Sequence, residues 1–208
     1  MTVLSDKQIK QRSLESADPM IQPFFASSVK EVSGVKVASF GVSSAGYDIR
    51  AAEEFMIFTP IKETFWERLK TLFTGKRKVV TPLDFKNMDE SLFTKVTGPK
   101  VIVPAGGFLL ARSVEYVDMP RDVVALCIGK STIARAGWNC LCTPIEPGWD
   151  GYITLEFQNT TDRPNTFYAN EGCLQLMFLK LGSDCDVSYK DRGGKYNNQE
   201  KRIVLPRV

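Results

Sequence analysis

The sequence predicts a mainly β protein, a sandwich or barrel to which a few short helices are added. Short apolar runs recur at a spacing of about ten residues and are separated by Gly and Pro, a pattern typical of antiparallel strands and turns. Helical periodicity is confined to short segments. The 208 residues are 43% hydrophobic, which suffices for one substantial core, so we expect a single domain over residues 1–208.

The first elements of the chain are expected to be one helix and two strands. Residues 5–8 begin with Ser and end with Gln, a capping-box pattern that predicts the start of a short helix. A strand is expected over residues 35–40, and another where residues 47–50 alternate apolar and charged side chains. The charged residues of that strand, Asp48 and Arg50, fit either a half-exposed strand face or pairing between subunits.

From residue 101 onward the pattern is entirely β. Turn signals rich in Gly separate the apolar runs at residues 104–107 and 170–172. The strands expected in this half of the chain are Val101–Val103, Phe108–Ala111, Val123–Ile128, Tyr152–Gln158 and Leu174–Leu179.

Residues 62–78 form a segment unlike the rest of the chain. Thr64 and Glu67 make a second capping-box pattern, and apolar side chains recur at helical spacing. The segment holds six basic and two acidic residues, a net charge of +4, which leaves 21 basic and 22 acidic residues elsewhere. We expect this basic amphipathic insert to be a surface helix packed on the barrel by its apolar face. A lid, a partner-docking element and a membrane-surface helix are the alternatives.

Composition excludes several classes of protein and site. The chain contains no His, which excludes a Ser-His-Asp or Cys-His nucleophile and any His-bound zinc. Its five Cys are an odd number without a secretory signal, which argues against a disulfide framework. The net charge of +3 is too small to indicate nucleic-acid binding, and no apolar stretch is long enough to span a bilayer. We therefore expect a cytoplasmic protein with no nucleic-acid or membrane partner.

Two segments carry the residue types of a nucleotide enzyme. Residues 129–135 place a Lys, two hydroxyls and an Arg within seven positions, and cations with hydroxyls suit phosphate. Glu156 lies further along, in an otherwise apolar strand between Leu155 and Phe157. Partial desolvation raises the pKa of a carboxyl group toward neutrality, which suits proton transfer. Together the two segments predict an active site.

The C-terminal segment, residues 186–208, is polar and contains a loop whose composition would allow it to fold over phosphates. Residues 192–195 combine two Gly with an Arg and a Lys, which predicts a flexible basic loop. Composition alone also fits a disordered tail. Residues 203–206, however, form an apolar run that is able to pack.

The order of these motifs resembles the dCTP deaminases of the trimeric dUTPase superfamily, and the resemblance covers nearly the whole chain. Any one matching stretch is weak evidence, whereas so many in the same order are strong evidence. The main matching stretches are Ser44–Arg50, Gly129–Arg135, Thr143–Trp149, Thr154–Asn159 and Ser188–Tyr196.

The resemblance implies a distorted, jelly-roll-like β-barrel of the dUTPase type, assembled as a homotrimer with its active sites at subunit interfaces. The implied reaction is hydrolysis of the 4-amino group of dCTP to dUTP and ammonia, in the pyrimidine deoxynucleotide metabolism that supplies dUMP and dTTP. Mg²⁺ would arrive with the triphosphate, with no ligand directly from the protein and no zinc. The zinc deaminases need a His/Cys ligand set that this chain lacks. dTTP is a candidate inhibitor.

Carried over position by position, the resemblance assigns three catalytic residues. Glu156 matches the general base and acid that relays protons between the attacking water, N3 of the base and the leaving ammonia. Ser131 matches the serine that positions the water. Arg135 matches the residue that orients the Glu and moderates its pKa.

Further positions match the family's nucleotide contacts. Lys130 and Thr132 match phosphate-binding positions, with Ser131 between them. Thr143 and Pro144 lie where backbone groups touch the base, and Glu146 matches an acidic residue that meets the deoxyribose. The remaining matches are Thr154, Gln175, Tyr189, Lys195 and Gln199.

Two departures from the family pattern keep other functions open. The insert at 62–78 is longer than expected, and the residues after Tyr196 read Asn-Asn-Gln-Glu-Lys-Arg where relatives usually have a Gly-Gln-Gln-Gly-like run. One alternative is a dUTPase or a bifunctional dCTP deaminase/dUTP diphosphatase, in which Glu146 would activate water near the α-phosphate. Another is a nucleotide-binding regulatory protein that docks partners through the insert.

Overall fold

The computed structural model describes residues 2–58, 69, 72–75 and 82–208. Its first helix, α1, is Asp6–Leu14. The Ser5 side chain accepts the backbone N–H of Gln8, and the Gln8 side chain accepts the backbone N–H of Ser5 at 3.0 Å. The predicted capping box and the helix that it begins are therefore confirmed.

Thirteen strands form the framework of the part of the chain that the structure describes. A 3-10 helix, Glu90–Leu92, and a four-residue helix, α2 (Ser131–Ala134), lie between strands. The strands are β1 (Thr2–Val3), β2 (Ile21–Gln22), β3 (Val29–Val32), β4 (Val35–Ser43), β5 (Gly46–Phe58), β6 (Phe93–Thr97), β7 (Lys100–Val103), β8 (Phe108–Asp118), β9 (Val123–Gly129), β10 (Trp138–Cys140), β11 (Asp150–Asn159), β12 (Asn165–Tyr168) and β13 (Gly172–Lys180).

Among the described residues, eleven of these strands form one curled antiparallel sheet, and β7 pairs with β12 apart from it. The order β13-β5-β8-β11 runs through the middle of the sheet, and β9 also pairs with β13. The mainly β, barrel-like prediction is confirmed. Each strand predicted from the sequence is present, and each lies inside a longer one.

The main core consists of alternate residues of the long strands. Tyr47, Phe55, Phe157 and Phe178 are almost completely buried in it. Burial of an aromatic side chain of this kind contributes about 1.5–3 kcal/mol. A second cluster, here called the rim cluster, packs beside the main core and contains Met56, Phe58, Phe93, Phe108, Leu110, Ile203 and Leu205.

The charged pair predicted on β5 is drawn into the interior. Glu115 of β8 is fully buried and holds Arg50, with the Arg50 Nε donating to Glu115 Oε1 at 2.7 Å. Asp48 is 6% exposed and pairs with Lys130. The half-exposed strand face is therefore wrong for Asp48, because the chain supplies its own cation for that carboxylate. Pairing between subunits stays a prediction.

Most of the insert at 62–78 lies outside the described residues, including Thr64, Glu67 and the basic tip at 76–78. Residues 72–74 are helical. Leu72 and Phe73 are each 79% exposed, so these two side chains do not pack on the sheet as the surface-helix prediction requires. Across the described ranges, no helix is long and apolar enough to cross a membrane.

Candidate active site

Strand β11 alternates between the core and a cavity. Leu155 and Phe157 are buried in the core, whereas Thr154 and Glu156 line the cavity on the opposite face. Because neighbours along a strand point to opposite faces, Leu155 and Phe157 face the core while Glu156 faces the cavity. Leu110 of β8 lies opposite Glu156 in the sheet register and lines the same cavity.

The cavity has a volume of about 620 Å³, within the range typical of small-molecule sites. Residues of the rim cluster form an apolar wall, and the loop after β10 and the C-terminal segment form the polar walls. The predicted site residues that line it are Thr143, Pro144, Glu146, Thr154, Glu156, Tyr189 and Gln199.

Glu156 is half-buried, and burial raises the pKa of its carboxyl above the ordinary value for Glu. A hydrogen bond with Cys142 opposes that rise. The Sγ of Cys142 also accepts the backbone N–H of Glu156 at 3.2 Å, so the loop after β10 is fixed to the strand at this residue. A carboxyl with a raised pKa can accept a proton and release it again, as a general base and acid must.

The loop after β10 brings three predicted residues to the cavity. Ile145 is buried and exchanges two backbone hydrogen bonds with Ala125 of β9, at 2.8 and 3.0 Å. These two hydrogen bonds fix the loop to β9. Thr143 and Pro144 precede the anchor and Glu146 follows it, so all three are held at the cavity wall.

The C-terminal segment packs across the cavity, and the disordered-tail alternative is wrong. Gln199 is 4% exposed, and its Nε2 donates to the Tyr152 carbonyl at 2.5 Å and to Thr154 Oγ1 at 2.8 Å. The backbone N–H of Val204 donates to the same Thr154 Oγ1 at 3.1 Å. Gly151 permits this approach, since a Cβ there would lie 2.5 Å from the Gln199 backbone N.

Two residues of this segment were missed by the sequence reasoning. Tyr196 lines the cavity, and its backbone N–H donates to the Tyr189 hydroxyl at 3.1 Å. Arg192 forms an ion pair with Glu146, and its guanidinium lies 5.1 Å from the centre of the Tyr189 ring. The sequence predicts a basic loop at residues 192–195, but it does not show which carboxylate the loop pairs with.

The segment at 130–135 does not line the cavity. Ser131 and Thr132 begin the short helix α2, Arg135 is its C-cap, and all three are exposed. Lys130, assigned to phosphate, pairs instead with Asp48. The structure of one chain therefore does not bring Ser131 and Arg135 together with Glu156 in this cavity.

Two further predicted contacts also lie away from the cavity. The Gln175 side chain on β13 donates to Ser43 Oγ at 3.2 Å. Lys195 is exposed, and its carbonyl accepts from the Arg207 guanidinium at 2.9 Å. Their predicted nucleotide contacts stay predictions.

Within the described residues, no group of three or more His, Cys, Asp or Glu side chains is arranged to hold a metal ion. Cys140 and Cys142 interact with each other next to Glu156, and all five cysteines are free thiols. Cys142 lies beyond the end of β10, in the loop that lines the cavity.

A family model described as dCTP deaminase-like matches residues 3–181. The chain belongs to the dCTP deaminase-like family. Among curated relatives of this family, a dCTP deaminase of Herminiimonas arsenicoxydans is 45% identical over 208 residues, and one of Laribacter hongkongensis is 46% identical over 207 residues. Both matches cover 100% of this chain and 100% of the relative.

A solved structure supports the same fold for this member of the dCTP deaminase-like family. The 2'-deoxycytidine 5'-triphosphate deaminase from Agrobacterium tumefaciens superposes with a TM-score of 0.53 at 15% sequence identity. The match covers 85% of this chain and 47% of that one. At this identity the likeness concerns the fold alone.

Proposed function

We propose that the protein hydrolyses the 4-amino group of dCTP to give dUTP and ammonia, supplying the precursor of dUMP and dTTP. The observation that carries this proposal is Glu156, a half-buried carboxyl with a raised pKa that lines a nucleotide-sized cavity. The full-length relatives that are named dCTP deaminases support the same reaction.

Glu156 would act as the general base and then as the general acid. Its carboxylate takes a proton from a water molecule as the oxygen attacks C4, and N3 of the cytosine gains that proton. The carboxylate then takes the proton of the new C4 hydroxyl and gives it to the amino group. Ammonia leaves, the C4 carbonyl of uracil forms, and the carboxylate is regenerated. One carboxyl can relay these protons because burial raises its pKa above the ordinary value for Glu, which favours both taking up a proton and releasing it again.

The remaining walls of the cavity would hold the nucleotide. Thr143 and Pro144 line the same cavity as Glu156 and would meet the base through backbone groups, while Glu146 would meet the deoxyribose. Tyr189 and Gln199 belong to the C-terminal segment already packed across the cavity, so they would cover the nucleotide from that side. Water exclusion by this segment strengthens each polar contact inside.

The proposal includes a homotrimer with shared active sites. Ser131 and Arg135 lie outside the cavity of their own chain, so a neighbouring copy would have to supply them, together with Lys130 and Thr132. Leu126 and Ile128 of β9, each 37% exposed, and Leu141, 45% exposed, give the nearby surface an apolar character suited to such an interface.

Mixing two inactive variants tests the shared site. Glu156→Gln and Arg135→Ala subunits, unfolded together and refolded, would form some trimers in which one site receives both native residues. We expect activity to reappear in the mixture and not in either variant refolded alone. A mixture as inactive as its components would show that one chain supplies both residues.

Mg²⁺ would enter as part of the substrate, bound to the triphosphate, and the chemistry would need no zinc. Excess EDTA should then abolish turnover, and added Mg²⁺ should restore it in full. Elemental analysis of the active protein should find no stoichiometric zinc. Activity that returns with zinc and not with magnesium would contradict this part of the proposal.

The decisive experiment is incubation with dCTP and Mg²⁺, followed by separation of the nucleotide products. Accumulation of dUTP with one ammonia per nucleotide is the expected result. Appearance of dUMP and pyrophosphate from dCTP would indicate the bifunctional enzyme, and hydrolysis of dUTP alone would indicate a dUTPase. Binding without any product would indicate the regulatory protein. That reading loses its support if deletion of 62–78 changes neither turnover nor binding of a partner protein.

A further inference from the structure

Arg192 is linked to the cavity through an ion pair with one of its lining residues. Its guanidinium pairs with Oε2 of Glu146, a residue that lines the cavity, whereas Arg192 itself does not line it. Both side chains of the pair are about half exposed, at 50% and 46%. An exposed ion pair adds little to stability, so its position, and not its strength, is the feature that requires an explanation.

Arg192 is also held by neighbouring residues of the C-terminal segment to which it belongs. Its guanidinium stacks 5.1 Å from the Tyr189 ring centre, and its backbone N–H donates to the Ser188 carbonyl at 3.2 Å. Tyr189 in turn is fixed by the Tyr196 backbone N–H, and a Cβ on Gly194 would lie 2.0 Å from its ring. The loop that carries Arg192 is therefore fixed by these contacts, and so is the position from which its guanidinium pairs with Glu146.

We propose that Arg192 is a positioning residue that orients Glu146 toward the one free hydroxyl of the deoxyribose, the 3'-OH. The inference rests on the proposed function, in which Glu146 meets the deoxyribose, and adds the residue that holds this carboxylate in place. The ion pair takes Oε2, which leaves Oε1 to accept a hydroxyl. A carboxylate held by a guanidinium keeps a fixed direction, and a fixed acceptor loses less entropy when it binds its donor.

The ion pair also reduces repulsion between the Glu146 carboxylate and the triphosphate. A nucleoside triphosphate carries several negative charges, and an isolated carboxylate in the cavity wall would repel it. Arg192 neutralises Glu146 while leaving its acceptor oxygen in place. The pair therefore suits recognition of a hydroxyl on a strongly anionic ligand, which an uncompensated Glu would not.

The test compares dCTP with 2',3'-dideoxy-CTP, which lacks only the 3'-OH. For the wild-type protein we expect a KM for the dideoxy nucleotide about tenfold higher, because a hydrogen bond to a charged group has that order of effect. Arg192→Met should raise the KM for dCTP about tenfold more than the KM for the dideoxy nucleotide, because lost neutralisation weakens both nucleotides whereas lost orientation weakens dCTP alone. It should leave kcat within about twofold. Arg192→Lys should keep part of the preference.

A matched control is Arg202→Met, which removes another Arg–Glu pair of the same segment, that of Arg202 with Glu200. It should leave the KM for both nucleotides unchanged. Equal losses for the two nucleotides in Arg192→Met would overturn the proposal, because a phosphate contact or a merely structural role does not distinguish them. An unchanged Arg192→Met would overturn it as well.

Calorimetric binding of the two nucleotides to the same four proteins keeps this test separate from the proposed function. If the wild-type protein binds dCTP without deaminating it, the proposed reaction fails. The loss of 3'-OH preference in Arg192→Met is then still read from the two dissociation constants. A wild-type protein that binds both nucleotides equally would contradict the role of Glu146 and Arg192 whatever its activity.

Discussion

The Sγ of Cys142 accepts the backbone N–H of Glu156 at 3.2 Å, across the boundary between the loop after β10 and strand β11. The residue proposed to move protons is thus fixed to the loop that carries Thr143, Pro144 and Glu146. The thiol also interacts with the Glu156 side chain and lowers the pKa that burial raises. The residues proposed to contact the base and the sugar and the residue proposed to relay protons therefore belong to one connected wall of the cavity.

Glu156→Gln is expected to abolish deamination. The amide cannot take the proton of water, and loss of general acid–base catalysis alone costs about 10²–10⁴-fold in kcat. A relay that performs several transfers should lose more. The measurement is ammonia release from dCTP, together with nucleotide binding by calorimetry, which should remain measurable because the amide fills the same space.

Glu31→Gln is the matched control for that substitution, since Glu31 is an exposed strand residue of β3 far along the chain from the cavity residues. It should leave both turnover and binding unchanged. A Glu156→Gln protein with near-normal turnover would exclude Glu156 from the mechanism.

The pH dependence of kcat/KM should report the burial of Glu156. The ionised form is the base, so activity is present above the pKa of this carboxyl and is lost as the pH falls through it. Because burial raises that pKa, the acid limb should lie at higher pH than an ordinary Glu would give. A profile of kcat/KM for dCTP with an acid limb at the ordinary pKa of Glu would contradict this assignment.

Cys142→Ala should move the acid limb further toward neutral pH. The substitution removes the hydrogen bond that lowers the Glu156 pKa and leaves the burial that raises it. Cys185→Ala is the control, because that thiol lies outside the cavity. An unchanged acid limb in Cys142→Ala would show that the thiol acts on the backbone only.

The fold was predictable to the extent that its signals are local. Ser5 and Gln8 are three positions apart, so the capping box of α1 could be recognised without knowledge of the fold. Most of the strands follow from short apolar runs separated by Gly and Pro, which are also local signals. Sheet register is not local, however: Leu110 lies opposite Glu156 because β8 pairs with β11, and nothing near either residue encodes that partner.

In the candidate site, too, local motifs were predictable from the sequence and contacts between distant residues were not. Glu156 and the loop residues were found because they belong to compact motifs that resemble a family. Arg192 was missed as a partner of Glu146, which is 46 positions away. Lys130 was assigned to phosphate from its type and neighbours, whereas its pairing with Asp48, 82 positions away, appears only in the folded chain.

Gly151→Ala is expected to loosen the C-terminal segment. Gly151 has φ of +142°, which disfavours a side chain, and a new Cβ would lie 2.5 Å from the Gln199 backbone N. Gln199 should then move away from Thr154, and the KM for dCTP should rise. Limited proteolysis should cut the segment after residue 186 faster than in the wild-type protein.

Gly182→Ala is the control for that change, because a Cβ at Gly182 has open space around it. It should alter neither the KM nor the rate of proteolysis. If Gly151→Ala kept the wild-type KM and the wild-type resistance to proteolysis, contact between Gln199 and β11 would not be what holds the segment.

Glu115→Gln should destabilise the fold strongly. Glu115 is fully buried on β8, and its Oε1 and Oε2 accept from the Nε and the backbone N–H of Arg50 at 2.7 and 2.9 Å. The amide fills the same volume but leaves the Arg50 charge unpaired, and breaking a buried pair in this way costs about 3–5 kcal/mol. Urea unfolding at one fixed protein concentration measures the loss. The control is Glu90→Gln, which removes an exposed ion pair with Lys95 and should unfold at nearly the wild-type urea midpoint. Equal urea midpoints for the two variants would mean that the Arg50–Glu115 pair contributes no more to stability than a surface pair.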